Sequence, residues 1–225
     1  DTLFSKVKSM NGNTCAQVYS NGSFTKVFPM PDKTGARVGQ TLTDFADDVG
    51  IPDTLVMDLA PEQAGKHTDM QKEARRLRVR IRFTEKGRSE QNHTAEGEIG
   101  QLKRRWKHRM MTKNVPRCLW DYGLVHEAEV LSILARGKDQ VPGLEKVLGQ
   151  TIDISEYLDF GIWDLVWYWD QSKTSDMSDE QKKLGRWLGI AHRVGSEMTY
   201  WILTEHCNLI ARSTVQHVLF ADLQQ

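Results

Sequence analysis

The strongest helical pattern in the chain lies between Gln91 and Arg109. This segment contains no proline, is rich in helix-forming residues, and follows a polar run ending at Thr94 that is typical of a helix start. At 100° per residue, its apolar side chains fall within a sector of roughly 80°. These side chains are Ala95, Ile99, Leu102, Trp106 and Met110. The pattern predicts an amphipathic helix with one buried stripe.

Charged side chains flank both edges of this stripe. One edge has Glu96, Lys103 and Lys107, and the other has Glu98, Arg105 and Arg109. A carboxylate in the first turn, with lysines one to three turns later, suits a metal ion beside a phosphodiester backbone. The alternative is an ordinary amphipathic helix whose charges face water.

The pattern of apolar positions on either side of this helix predicts an α/β fold. Alternating apolar positions and Asn-Gly turns indicate three short strands, and a period of 3.6 then predicts helices separated by short apolar strands. The expected strands are Thr2–Lys8, Thr14–Ser20, Phe24–Met30, Thr54–Met57 and Val79–Phe83, and the expected helices are 34–49, 66–77, 91–109 and 116–134. This order predicts a mixed five-stranded sheet with helices on its faces, in which strands one and four are neighbours.

Composition changes after Gly149, which places a domain boundary near 149–152. Beyond it, aromatic runs and turn residues predict short strands and no long helix, as in a small β-barrel or sandwich. The expected strands lie in 152–170, 187–194, 198–204 and 209–220, and 171–183 is expected to be a loop. The predicted domains are therefore 1–149 and 152–222. Aromatic side chains at 163–169 are expected to form a core, with base stacking as the alternative.

The formal net charge of zero conceals a strong asymmetry. Between Lys72 and Lys113 there are 14 basic and 5 acidic residues, a surplus of 9 positive charges. Such a patch favours contact with nucleic acid. The three widely spaced cysteines indicate neither a disulfide framework nor a zinc site, and we expect free thiols in a reducing compartment. No apolar run is long enough for a membrane span, and the first residue, Asp1, leads us to expect a piece of a longer polyprotein.

Three acidic residues occupy informative places in this layout. Asp1 begins the first predicted strand, Asp58 follows the fourth, and Glu96 opens the long helix. Carboxylates that converge from such positions suit Mg²⁺, which prefers oxygen ligands. With 30 acidic residues in the chain, spacing alone does not single out this triplet. Glu98 is the rival third carboxylate, and we expect it to form a surface ion pair near Arg105.

Several motifs occur in the order found in integrases of Copia-type retrotransposons, and more broadly in retroviral integrase catalytic cores. They are D-T-L-F-S at 1–5, F-P-M at 28–30, G-I-P-D-T-L-V-M-D at 50–58, E-Q-A-G at 62–65 and Q-N-H-T-A-E at 91–96. The last resembles the family box whose glutamate completes an Asp-Asp-Glu triad. The segment L-G-R-W-L-G-I-A-H-R-V-G at 184–195 resembles the SH3-like part that follows the core. The resemblance covers nearly the whole chain.

This resemblance implies a ribonuclease-H-like core followed by an SH3-like module. It implies Asp1, Asp58 and Glu96 as catalytic metal ligands for Mg²⁺ or Mn²⁺, in 3′-end processing and strand transfer of element DNA into target DNA. The DNA-binding residues it implies are Gln91, Asn92, Lys103, Arg104 and Lys107. It further implies double-stranded DNA as the partner, a homo-oligomer and a nuclear location after assembly of a cytoplasmic particle.

The chain also departs from the family pattern in two loops. Leu59-Ala60-Pro61 stands where the family has Asn followed by a small residue, and the loop at 86–90 lacks the usual aromatic residue and proline. A displacement of about an ångström at either loop would lower activity strongly. The second hypothesis is therefore a decayed, non-catalytic copy that retains a DNA-binding surface. A ribonuclease H proper is disfavoured because no clear fourth carboxylate appears in the helical half.

Overall fold

The computed structural model describes residues 1–57, 68–84, 93–136, 138–170, 181–195 and 197–219, with the main chain only at 93 and 94. The chain divides into two compact units, Asp1–Ile152 and Asp153–Gln225. The first is a mixed α/β unit and the second is built on strands. None of the described helices is both long and apolar enough to cross a membrane.

The first unit begins with an antiparallel meander. Strands β1 (Thr2–Phe4), β2 (Cys15–Ser20) and β3 (Thr25–Met30) pair in that order. Both connections use a glycine with positive φ, Gly12 at 86° and Gly22 at 90°, a conformation that other residues adopt only with strain. The Asn-Gly signals predicted the positions of both turns, but β1 ends at Phe4 rather than at Lys8, so the first connection runs through 5–14 instead of being tight.

A parallel strand pair follows the meander. Helix α1 (Gly35–Val49) leads to strand β4 (Thr54–Met57), and helix α2 (Asp69–Arg76) leads to strand β5 (Arg80–Phe83), which pairs with β4 in parallel. The Thr68 hydroxyl accepts a hydrogen bond from the Gln71 amide and caps α2. The core lies between these helices and the strands, with side chains such as Leu42 and Met70 buried.

The predicted five-stranded sheet is formed as two separate ladders. Among the described residues, one ladder joins β1, β2 and β3, and the other joins β4 and β5. Our expectation that strands one and four pair directly is therefore wrong for the described residues. The physical reason is that β1 is only three residues long, and a cavity lies between β2 and β4.

Two long helices complete the first unit. Helix α3 (His93–Thr112) packs against helix α4 (Trp120–Ile133), which follows a 3₁₀ turn. Contact is close at Gly123, where an added Cβ would lie 2.1 Å from the Trp106 ring. A hairpin of β6 (Ala135–Arg136) and β7 (Val141–Pro142) and the short helix α5 (Gly143–Leu148) were not predicted from the sequence.

The second unit contains one five-stranded antiparallel sheet. Its strands are β8 (Leu165–Trp169), β9 (Lys182–Ile190), β10 (Tyr200–Thr204), β11 (Leu209–Arg212) and β12 (Val215–His217), in the order β11-β10-β9-β8-β12. Trp187 and Tyr200 are buried in its core, and Phe160 packs against both rings.

Three strand predictions for this unit are wrong. The range 209–220, expected as one strand, contains the two strands β11 and β12. The aromatic range 152–170 forms a 3₁₀ turn and one strand rather than several, because Phe160 and Ile162 reach the core from irregular chain. Strand β9 begins at Lys182, inside the range that we expected to be a loop. Lys182 pairs with Trp169 across the ladder, and its ammonium lies 5.0 Å from the centre of the Trp167 ring.

Candidate functional site

A cavity of about 700 Å³ opens in the first unit beside β2 and β4. Its wall includes Asp1, Met57 and Ala95. Met57 directly precedes Asp58, and Ala95 directly precedes Glu96. Three chain positions that are far apart in sequence thus meet at one cavity, each at or next to a predicted site residue.

Asp1 is held in place by main-chain hydrogen bonds. Its amino terminus donates to the Val18 carbonyl at 2.9 Å, and the Val18 amide donates to the Asp1 carbonyl at 2.8 Å. The carboxylate accepts a hydrogen bond from the Thr2 amide at 2.7 Å. The side chain is exposed at the cavity wall.

Three of the predicted site residues, Asp58, Gln91 and Asn92, lie outside the described residues. Glu96 is described, in the first turn of α3, where the positive end of the helix dipole favours a carboxylate. It is exposed and makes no hydrogen bond or ion pair with any described residue. Its carboxylate is therefore accessible to a ligand.

Glu98 is engaged in a polar cluster of its own. The Arg136 Nη1 atom donates to both Glu98 oxygens, at 3.2 and 3.1 Å, and to Gln101 at 3.2 Å. Arg136 Nη2 donates to the Ser23 carbonyl at 2.8 Å. The expectation that Glu98 forms an ion pair is confirmed, but its partner is Arg136, from the unpredicted hairpin, and the pair is largely buried rather than on the surface near Arg105. This cluster ties the start of α3 to the β2–β3 turn and so positions Glu96.

The basic residues of α3 divide into two groups. Arg105 and Arg109 both bind the carboxylate of Glu127, whose side chain is fully buried on α4. Lys103, Arg104 and Lys107 are exposed and form no ion pair within the described part of the chain. The first group joins two helices, and the second is available to an anionic partner. Sequence reasoning missed Glu127 and Arg136 because their partners are between 18 and 113 residues away.

The charged residues of β5 also have an accessible face. Arg80 and Arg82 are exposed and alternate with the half-buried Ile81 and Phe83. This is the period-2 alternation expected for a strand with one solvated face. Part of the basic surplus therefore lies on the exposed face of β5.

The described residues contain no group of three or more His, Cys, Asp or Glu side chains arranged to hold a metal ion. One member of the predicted triad, Asp58, falls outside them. Within the described ranges, the cavity lining includes one carboxylate, that of Asp1, whose oxygens are ligands of the kind that Mg²⁺ prefers.

Acidification is expected to destabilise the first unit through His126. Burial lowers the pKa of this imidazole, Arg109 and Lys113 lower it further, and Glu129 and Glu127 oppose the change. A lowered pKa in the folded state gives stability that is present above about pH 6.5 and is lost as the pH falls. Urea denaturation of the unchanged protein and of His126→Gln between pH 7.5 and 5.5 measures this loss of stability. The variant should show a flatter pH dependence, and an identical slope in both proteins would contradict this assignment.

Aromatic and basic side chains alternate on the second unit. The Arg186 guanidinium lies 5.2 Å from the centre of the Trp163 ring, and Lys182 stacks on Trp167. Trp169, on the same strand as Trp167, is 43% exposed. The expectation of a core agrees with the buried Tyr168 but not with Trp169, because successive side chains of β8 face opposite sides of the sheet.

Comparisons with known proteins were made for the whole chain. No protein-family model matches it, and no curated protein matches it. Three solved structures with a similar backbone come from viral integrases. One is a simian T-cell lymphotropic virus intasome in complex with the PP2A regulatory subunit B56 gamma, at 11% identity and TM-score 0.45, covering 91% of this chain and 74% of that one.

The other two are integrase catalytic core domains. The BIV domain has 14% identity and TM-score 0.47, covering 60% of this chain and 84% of that one. The HTLV-2 domain, in complex with magnesium, has 12% identity and TM-score 0.48, covering 65% of this chain and 91% of that one. At these scores the similarities add nothing to the functional assignment, which depends on this chain's own residues.

Proposed function

We propose that the protein is a metal-dependent polynucleotidyl transferase of the Copia integrase type, which joins the 3′ ends of element DNA to target DNA. The observation that supports this most is the meeting of Asp1, Met57 and Ala95 at one cavity wall. Asp1 begins the first strand, and Met57 and Ala95 directly precede Asp58 and Glu96, the other two predicted metal ligands. The second unit is the SH3-like module of this proposal, and the protein acts in the nucleus as a homo-oligomer.

Asp1, Asp58 and Glu96 would hold the metal ion, Mg²⁺ or Mn²⁺. When bound, such ions activate an attacking oxygen and stabilise the leaving oxygen in phosphodiester chemistry. The protein's own hydrogen bonds hold two of these carboxylates in position. Asp1 is fixed by its ladder to Val18, and the Glu98–Arg136 cluster fixes the start of α3 that presents Glu96. The exposed Glu96 carboxylate lies at the end of α3 that the cluster holds.

The direct test is a DNA-joining assay with the full chain, a labelled duplex that carries the element ends, and a target plasmid. Joined product is expected with Mg²⁺ or Mn²⁺ and is expected to disappear with a chelator or with Ca²⁺ alone. DNA binding without product in any metal would overturn the catalytic proposal and leave the decayed, binding-only copy. Product formed equally in the chelator would overturn metal dependence.

The exposed basic edge of α3 is the proposed contact for element DNA. Lys103→Ala with Lys107→Ala is expected to weaken duplex binding and to reduce the slope of log affinity against log salt by about 2, because each phosphate contact contributes about 0.9. Fluorescence anisotropy over a salt series measures both quantities.

The matched control for this pair removes two exposed cations elsewhere in the first unit, Arg117→Ala with Lys138→Ala. A general effect of net charge would weaken binding equally in both double variants. That result would argue against a specific contact at α3.

A further inference from the structure

One side of the sheet in the second unit carries tryptophan rings and cations together. Trp167 and Trp169 lie two residues apart on β8, so both side chains leave the same side of the sheet. Lys182 pairs with Trp169 across the ladder and its ammonium lies over the Trp167 ring, which places Lys182 on that side as well. We call this side the tryptophan face. Its members are Trp163, Leu165, Trp167, Trp169, Lys182, Leu184 and Arg186.

The tryptophan face has an apolar middle and a cation near each end. Across the ladder, Leu184 lies opposite Trp167, and Arg186 lies opposite Leu165. Lys182 is four residues from Arg186 along β9, which corresponds to about 13 Å at 3.3 Å per residue. None of these side chains is fully buried. The two cations therefore lie at the ends of an apolar stripe that solvent reaches.

Both cations are positioned by tryptophans rather than by carboxylates. The Arg186 guanidinium lies 5.2 Å from the centre of the Trp163 ring and donates a hydrogen bond to the Trp163 carbonyl at 3.1 Å. The Lys182 ammonium lies 5.0 Å from the centre of the Trp167 ring. Within the described part of the second unit, neither cation forms an ion pair. Each can therefore bind an anionic group of another molecule.

The charges of the tryptophan face select among the ligands that it could bind. A cationic ligand is disfavoured, because the protein's own cations already lie over two of the rings. A strand of duplex DNA carries a negative charge about every 3.4 Å, so it would place phosphates over the apolar middle between Lys182 and Arg186. A charge without a partner is costly to place against apolar side chains. An extended polypeptide can instead present two carboxylates about 13 Å apart with an apolar side chain between them.

We propose that the tryptophan face binds an extended acidic segment of a partner protein. In an extended chain, every second side chain points to the same side. An acidic residue, an apolar residue two positions later and a second acidic residue after two more therefore match Lys182, the apolar middle and Arg186. The apolar side chain covers Trp167 and Leu184, and Trp169, which is 43% exposed, adds contact area at the Lys182 end. This role is separate from the proposed DNA joining and does not depend on it.

The test measures binding of a labelled synthetic peptide, with the central sequence Glu-Thr-Leu-Thr-Glu, to the full chain by fluorescence anisotropy at low salt. Lys182→Gln is expected to weaken binding by about fivefold, the size expected when one exposed ion pair is lost. The matched control is Lys183→Gln, which removes the same charge from the next residue, on the opposite side of the sheet and paired with Asp170, and should leave binding unchanged. A peptide with serine in place of leucine should bind about tenfold more weakly.

Several outcomes would overturn the proposal. They are no binding of the peptide at millimolar concentration, equal weakening by Lys182→Gln and Lys183→Gln, and undiminished binding of the serine peptide. An unpaired oligonucleotide that bound more tightly than the peptide, and lost affinity only in Lys182→Gln, would assign the face to nucleic acid.

The peptide variants keep the test decisive even if Lys182→Gln disturbs folding. With the unchanged chain, a peptide that has glutamine in place of both glutamates is expected to lose most of its affinity, and full retention of binding would contradict the proposal. These measurements contain no metal and no joining reaction, so their failure is distinguishable from failure of the proposed function.

Discussion

Glu96→Gln is expected to lower the rate of DNA joining by about two to three orders of magnitude. Loss of one anionic ligand weakens a metal site that contributes several kcal/mol to the transition state, and each 1.4 kcal/mol is tenfold in rate. Asp58→Asn is expected to have an effect of similar size. Because glutamine keeps the size of glutamate and Glu96 is exposed, the free energy of unfolding should hardly change. The measurement is single-turnover joining at saturating DNA, with urea denaturation of the same samples.

Two controls define the specificity of this effect. Asp47→Asn removes an exposed carboxylate from α1, outside the cavity, and should leave the joining rate unchanged. Glu98→Gln weakens the hold of Arg136 on α3 and should lower stability more than Glu96→Gln does. If Glu98→Gln abolished joining while Glu96→Gln did not, the assignment of the third carboxylate would be reversed.

Glu127→Ala is expected to lower the free energy of unfolding of the first unit by about 3 kcal/mol. Breaking a buried ion pair by removing one partner costs about 3–5 kcal/mol, because the remaining charge stays in a low-dielectric site. The Glu127 side chain is 0% exposed, whereas Arg105 and Arg109 are 32% and 29% exposed. Both guanidinium groups can recover part of their hydration, which places the expected value at the lower end of the range.

The matched control is Glu127→Gln, which keeps the volume and one acceptor for the Arg105 hydrogen bond. It should cost clearly less than alanine does. Urea denaturation of the full chain, with far-UV and tryptophan signals recorded together, separates the two units if they unfold independently. An unchanged midpoint for Glu127→Ala would show that the two arginines do not depend on this carboxylate.

Local patterns predicted the first unit well. The Asn-Gly turns, the end of α1 before Gly50 and the full range of β4 agree with the structure because each depends on neighbouring residues. The buried stripe of α3 also agrees at Ile99, Leu102 and Trp106. These features follow from turn chemistry and helical period, which act over a few residues.

The sequence predictions were wrong where contacts between residues far apart in the chain determine the structure. Arg136 reaches Glu98 from a two-residue strand that has no local signal, and it changes the partner that the helical wheel had suggested. Aromatic residues near Phe160 suggested strands, yet they fill a core from irregular chain. The polar Lys182 begins a strand because its neighbour across the ladder, Trp169, pairs with it.

The sequence by itself determined the order of helices and strands from β1 to α4, the basic character of α3 and the three carboxylates worth testing. Periodicity, capping and charge depend on residues that are close together in the sequence, so they can be recognised without knowledge of the fold. Only the tertiary structure decided which arginines pair with the buried Glu127, which glutamate Arg136 holds, and that β2 and β4 face one another across a cavity. Those outcomes depend on contacts between segments far apart in the chain, where burial and packing select among partners that local pattern leaves equivalent.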